Sequence, residues 1–343
     1  MNKIDFNDKS PCVLHYDDNN LLGINEYGNT TILDFFEVRQ PCATWFMVSA
    51  YFFLIKPAVP IFVMLTGYTM LQRQDSYRKI GERFGKMLGI FLAISAFFYV
   101  VERKQDEGFG IIDFCQRFLQ GDIEFAFWYM YLYLGILLML PFLQKFVKGL
   151  EKKDFLIFFG ISMGYFSLYP IVKRYIPALA LSENFEVPLF SSYICLLLLG
   201  YYFAVYVKRT KKGAVLATAA LVGSVLCNVI FTYIEYIRTG GEEYLFFDNR
   251  TSCFIITEAV SIFYLAGFIK SNEKLNWVSK VGQCTFGMYL IHMFFIRRLK
   301  WILISVTGMS HILIGLIVYG IAVFGCSFFV IYLFDLIRRR CHK

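Results

Sequence analysis

One histidine stands out for its setting. His292 falls ten positions into an apolar stretch that begins near Gly282. At helical rise that is about 15 Å along, near the middle of a hydrocarbon layer about 30 Å thick. A titratable side chain at that depth is expensive, and imidazole is the group best matched to proton transfer near neutral pH. The chemistry it suggests is general-base activation of a weak nucleophile. A neutral imidazole hydrogen-bonded to a neighbouring helix is the alternative. Glu258, inside the preceding apolar stretch, and Glu235, near the end of the stretch before that, are candidate partners.

A second group is cationic. Arg78, Arg83 and Lys86 lie on a segment that leads into an apolar run, and the last two are three apart, on one face of a helix. Such a face suits the phosphates of an anionic donor at the cytoplasmic surface, since a guanidinium can grip a phosphate with two parallel bonds. Positive-inside charge explains the same residues without a ligand. Arg297, Arg298 and Lys300 have a similar double reading. They form either a snorkelling interfacial stretch, RRLKWILI, or a cationic wall of an outer cavity that meets an anionic glycan or lipid phosphate. The nine cysteines contain no CxxC pair and several sit in apolar runs, so they read as packing residues and no metal site is expected.

The elements that must position these groups follow from composition. Of 343 residues, 57% are hydrophobic, 19% aromatic and only 17% charged, more apolar surface than a soluble core of this size needs. Apolar segments long enough for a bilayer recur at 57–72, 85–101, 126–147, 154–172, 188–207, 213–236, 251–270, 282–304 and 311–337. They lack the two-residue alternation of barrel strands, so the fold class is all-α, a polytopic transmembrane helical bundle of about nine to ten spans.

The intervening charges alternate. Arg73, Arg78, Lys79, Arg83 and Lys86 mark one side, while 102–125 carries Glu102, Asp106, Glu107, Asp113, Asp122 and Glu124 on the other. Later basic groups end with Arg338, Arg339, Arg340 and Lys343, which puts the C-terminus in the cytoplasm. The net charge of +8 is therefore topology, and nucleic acid is not an expected partner. The lipid bilayer is. Residues 1–40 form a polar, acidic tail without signal-peptide pattern, and 41–343 hold the membrane domain. Within it, 43–55 is apolar but short, and Lys56, Pro57 and Pro60 interrupt the helix after it. It reads as a re-entrant or outer-surface helix, or as a truncated or tilted span.

Four pieces in order carry a resemblance. KPAVPIFVMLTGYTML (56–71) resembles the early signature of the acyltransferase-3 family, in which a basic residue precedes a VPLFF-type run that ends in a Gly-Tyr pair. RKIGERFGKMLGIF (78–91) is similar to the family's basic loop, FWYMYLYLGILLMLPFL (127–143) to its Trp-Tyr segment, and CTFGMYLIHMFF (284–295) to its late segment containing a histidine.

The resemblance implies an enzyme of about ten spans in a bacterial cytoplasmic membrane. Such an enzyme moves an acyl group, usually acetyl from acetyl-CoA, onto a hydroxyl of an envelope polysaccharide or lipid-linked sugar. It assigns His292 the catalytic base, Arg78 and Arg83, with Lys86 on the same face, the donor phosphates, and Lys56, Trp128 and Tyr129 the substrate. The chain also departs from the pattern. The family's first span carries an arginine and a later histidine, whereas 43–55 contains no histidine, His15 sits in LHYDDNN, and Met293 stands where proline follows the late histidine. A non-catalytic relative, serving as a glycan transport or assembly partner, is the alternative.

Overall fold

A computed structural model of the chain describes residues 41–103, 108–182, 191–240, 247, 252–269, 276–299 and 312–341. Among them every regular element is a helix and no strand occurs, as hydrocarbon demands of a backbone that must bond to itself. The α-helices are α1 (Ala43–Ile55), α2 (Ala58–Met70), α3 (Tyr77–Arg103), α4 (Ile111–Gln120), α5 (Trp128–Phe146) and α6 (Lys152–Ser162). They continue with α7 (Tyr169–Tyr175), α8 (Ser192–Tyr206), α9 (Lys211–Thr239), α10 (Cys253–Ala266), α11 (Asn276–Arg298) and α12 (Ile312–Cys341).

Each of the nine apolar segments contains a helix. Six stretches are by themselves long and apolar enough to cross a membrane: Ala43–Met70, Tyr77–Glu102, Phe125–Gly149, Lys152–Tyr175, Lys211–Thr239 and Leu313–Arg340. α8 and α10 are apolar but shorter, at 15 and 14 residues. α11 falls outside both groups, because its first turns carry polar Asn276, Lys280 and Gln283. The acidic tail 1–40 and residues 300–304, the end of the RRLKWILI stretch, lie outside the described residues.

α1 is too short to cross by itself, yet it runs almost directly into α2. The Lys56 N–H donates to the Phe52 carbonyl at 3.2 Å and the Ile61 N–H to the Pro57 carbonyl at 2.9 Å, so little of the ladder is lost at the break. The two helices make one interrupted apolar stretch of 28 residues. α3 starts where Ser76 caps it, its Oγ accepting from the Lys79 N–H at 3.3 Å.

The expected acidic loop 102–125 holds α4. Ile111, Ile112 and Leu119 on this helix are exposed. Its charged face folds back on itself, with Arg117 bonded to Asp113 at 2.9 Å and Asp122 at 3.0 Å, and the Tyr99 hydroxyl donating to Asp113 at 2.8 Å.

The described chain divides into two compact units, and the boundaries fall inside α1 and inside α11, before Val281. The larger, Ala50–Lys280, packs α2 against α8, α9 against α10, α3 against α5 and α6 against α8. The α2–α8 crossing is the tightest. A Cβ on Gly67 would fall on the Leu197 carbonyl, and one on Gly200 on the Met64 carbonyl, so only glycine lets these backbones meet. Phe91, Phe98, Phe118, Phe127 and Tyr131 meet, mostly edge to face, where α3, α4 and α5 converge. In the smaller unit α11 and α12 run antiparallel. Gln283, Gly287 and Ile296 meet Arg339, Ile331 and Tyr319 in turn, partners that descend as the first series rises.

Candidate functional site

His292 lies on α11, half-buried. Its Nδ1 is 2.6 Å from the Tyr289 carbonyl oxygen, and its ring stacks on that of Tyr289 with centroids 5.7 Å apart. A carbonyl oxygen only accepts, so the hydrogen bond places the ring proton on Nδ1 and leaves the lone pair on Nε2. In this tautomer Nε2 is the ring's proton acceptor, and the helix's own backbone holds it so. Arg297 and Arg298 close the same helix, where cations complement its negative end. The Arg298 guanidinium lies over the Phe294 ring at 5.4 Å.

The larger unit gathers the Trp-Tyr pair with two other helices. Trp128 and Tyr129 open α5, Trp128 meeting Tyr193 of α8 at 6.3 Å and Tyr129 meeting Phe62 of α2 at 6.3 Å. Tyr129 also shares a hydrogen bond with Thr66, one turn along α2 from Phe62. Lys56 sits at the α1–α2 break with its ammonium over the Phe52 ring at 4.4 Å.

The basic residues divide. Arg78 points outward and pairs with Glu82 at 2.9 Å, both side chains well exposed, an arrangement that contributes little to stability. Arg83 turns inward to Asp75, with Nη1 to Oδ2 at 3.3 Å, and Lys79 reaches the other oxygen at 2.8 Å. Lys86 is exposed one turn beyond Arg83. Arg83 and Lys86 thus keep the common face expected of them, while Arg78 does not join it.

Glu258 is wholly buried at the α9–α10 interface and accepts from Asn228 Nδ2 at 2.8 Å. Glu235, further along α9, is also wholly buried. It accepts from Arg174 at 2.9 Å, Arg238 at 2.9 Å and the Tyr175 hydroxyl at 2.5 Å. With both arginines on it, Glu235 reads as a structural hub rather than a partner for a base.

Two participants escape a reading of sequence. Asp75 could have been found, because it stands four and eight residues before Lys79 and Arg83, at helical spacing just ahead of their helix. Gln144, which holds the Asp75 backbone from a distance of 69 residues, gives no local signal. Among the described residues no group of three or more His, Cys, Asp and Glu side chains is arranged for a metal ion.

A family model described as Acyltransferase domain matches residues 22–336, nearly the whole chain and all of the residues just described. No curated protein and no solved structure gives a significant match.

Proposed function

The chain belongs to the acyltransferase-3 family, and from that premise we propose that it is a multi-pass membrane enzyme that moves an acetyl group from acetyl-CoA to a hydroxyl of an envelope polysaccharide or lipid-linked sugar. The observation that carries the reading is His292, whose Nδ1 is occupied by the Tyr289 carbonyl, leaving Nε2 as the basic atom within the matched domain.

A sugar hydroxyl is a weak nucleophile at neutral pH. Nε2 takes its proton as the oxygen attacks the thioester carbonyl, a C–O bond forms, and the C–S bond breaks. The same proton then passes to the departing CoA thiolate, so the imidazole returns to its starting state. Arg83 and Lys86, on the side whose charge marks it as cytoplasmic, answer the phosphates of the donor. Trp128 and Tyr129 offer aromatic faces with a polar edge, which suits a sugar ring. Lys56, Arg297 and Arg298 supply cations for an acidic acceptor. The family usually carries a histidine in its first span, and residues 43–55 have none, so His292 bears the whole of the base's role in this reading.

The test is transfer of labelled acetyl from acetyl-CoA into envelope glycans by membranes containing the chain. Transfer that depends on the chain and falls about 10²- to 10⁴-fold in His292→Ala supports the reading. Full transfer by that variant removes His292 from the mechanism. No transfer above an empty-vector control favours a non-catalytic glycan transport or assembly partner.

A further inference from the structure

Asp75 lies between the end of α2 and the start of α3, with only 2% of its side chain exposed. Oδ1 accepts from Lys79 and Oδ2 from Arg83, as described above. Its backbone N–H donates to Gln144 Oε1 at 3.1 Å. Gln144 is buried on α5 and donates in turn from Nε2 to the Met70 carbonyl at 2.9 Å. Two side chains therefore tie the last turn of α2, the first turn of α3 and the end of α5 at one point.

Charge at this point is unbalanced. The N-terminal end of a helix carries partial positive charge, and α3 adds Arg78, Lys79 and Arg83 to it. Glu82 answers Arg78, but Lys79 and Arg83 share the single carboxylate of Asp75. The hydrogen bond from Lys79 outweighs burial and, with the Arg83 charge, holds that carboxyl below its usual range, so it is ionised at neutral pH. Of the five donors of a guanidinium, Arg83 commits one. The remaining donors have no further hydrogen-bond partner among the described residues, and a fifth of the side chain is exposed. A fixed arginine with unused donors is what a phosphate oxygen meets at least cost in side-chain order.

We infer that Asp75 and Gln144 are positioning residues for the acyl donor, fixing Arg83 and Lys79 in the rotamers that receive the phosphates of CoA. The inference rests on the donor reading given above. It makes a prediction opposite to simple charge counting. Asp75→Asn raises the local positive charge by one, and if the basic end held CoA by net charge alone, affinity would rise. If Asp75 positions the cations, affinity falls despite the added charge.

The experiment is CoA binding by the purified full-length chain in detergent, for wild type, Asp75→Asn, Asp75→Glu, Gln144→Leu and Arg83→Ala, each with its unliganded melting temperature. Asp75→Asn and Gln144→Leu should weaken CoA about tenfold, the scale of leaving two long side chains to be ordered on binding. Asp75→Glu should recover part of the loss. In turnover the donor KM should rise by the same factor while the acceptor KM stays at its wild-type value, whereas a merely misfolded fraction would lower kcat and leave both unmoved. Tighter or unchanged CoA binding in Asp75→Asn, beside a loss in Arg83→Ala, overturns the positioning role and leaves the donor site standing. Binding that is absent in wild type, or untouched by Arg83→Ala, removes the donor site and the positioning role together.

Discussion

Asn228 donates from Nδ2 to Glu258 Oε1 across 2.8 Å, and neither side chain is exposed to any extent. The two lie where the long helix α9 packs on the short helix α10. Glu258 Oε2 and Asn228 Oδ1 have no hydrogen-bond partner among the described residues. One bond therefore carries the whole of the compensation for a buried carboxyl group, in surroundings where an unmet polar atom is costly.

Removing the donor should cost more than removing both groups. Asn228→Leu leaves Glu258 without a partner and should lose about 1–3 kcal/mol, read from unfolding midpoints in detergent. Asn228→Leu combined with Glu258→Leu should regain most of that loss, since exchanging both members of a pair for apolar groups is close to neutral. A single variant as stable as wild type would show that the carboxyl does not depend on Asn228.

The α2–α8 crossing makes a sharper prediction. Gly67→Ala and Gly200→Ala each drive a methyl group into a backbone carbonyl of the facing helix, which cannot swing aside as a side chain can. Each should cost about 3 kcal/mol or more. Gly135→Ala, on α5 with open space around the new methyl group, should be neutral or gain up to about 1 kcal/mol from helix propensity. Scanning fluorimetry of the three variants decides it, and equal midpoints would mean that the two backbones do not approach so closely.

The Asp75 cluster sets a pH range. Its folded carboxyl titrates below the usual range, so its contribution is complete above the unfolded value of about 3.9 and is lost only as pH falls through the lower folded value. The stability difference between wild type and Asp75→Asn should therefore be flat from pH 8 to about pH 5 and shrink below about pH 4. A difference that shrinks between pH 8 and 6 would assign the effect to another group.

Much of this arrangement is legible in the sequence because it is local. Apolar runs locate the helices, and the spacing of Arg83 and Lys86 gives their shared face. His292 is legible for a cheaper reason, its cost in an apolar stretch. What escapes is whatever depends on distant pairing. Gln144 meets Asp75 from 69 residues away, and Trp128 meets Tyr193 across two intervening helices, with no periodicity to announce either. α4 is an intermediate case. Its acidic flanks disguise it, though Ile111, Ile112, Cys115 and Leu119 fall on one helical face. Glu235 misleads in the other direction, since a carboxylate near the end of an apolar stretch looks reactive until two arginines are found on it.

Between α6 and α7 the six residues Met163–Leu168 wind as a π-helix, a wider turn that accommodates an extra residue. Each residue turns an α-helix by about 100°, so that extra residue fixes the rotational phase of everything after it. Arg174 and Tyr175 are what come after it, and both reach Glu235 only at the present phase. Deleting one residue from 163–168 would let the segment tighten into α-helix and swing both side chains by about 100° away from α9. The segment is thus a spacer whose number of residues is constrained more tightly than their identity, and length changes there should be scarcer than substitutions.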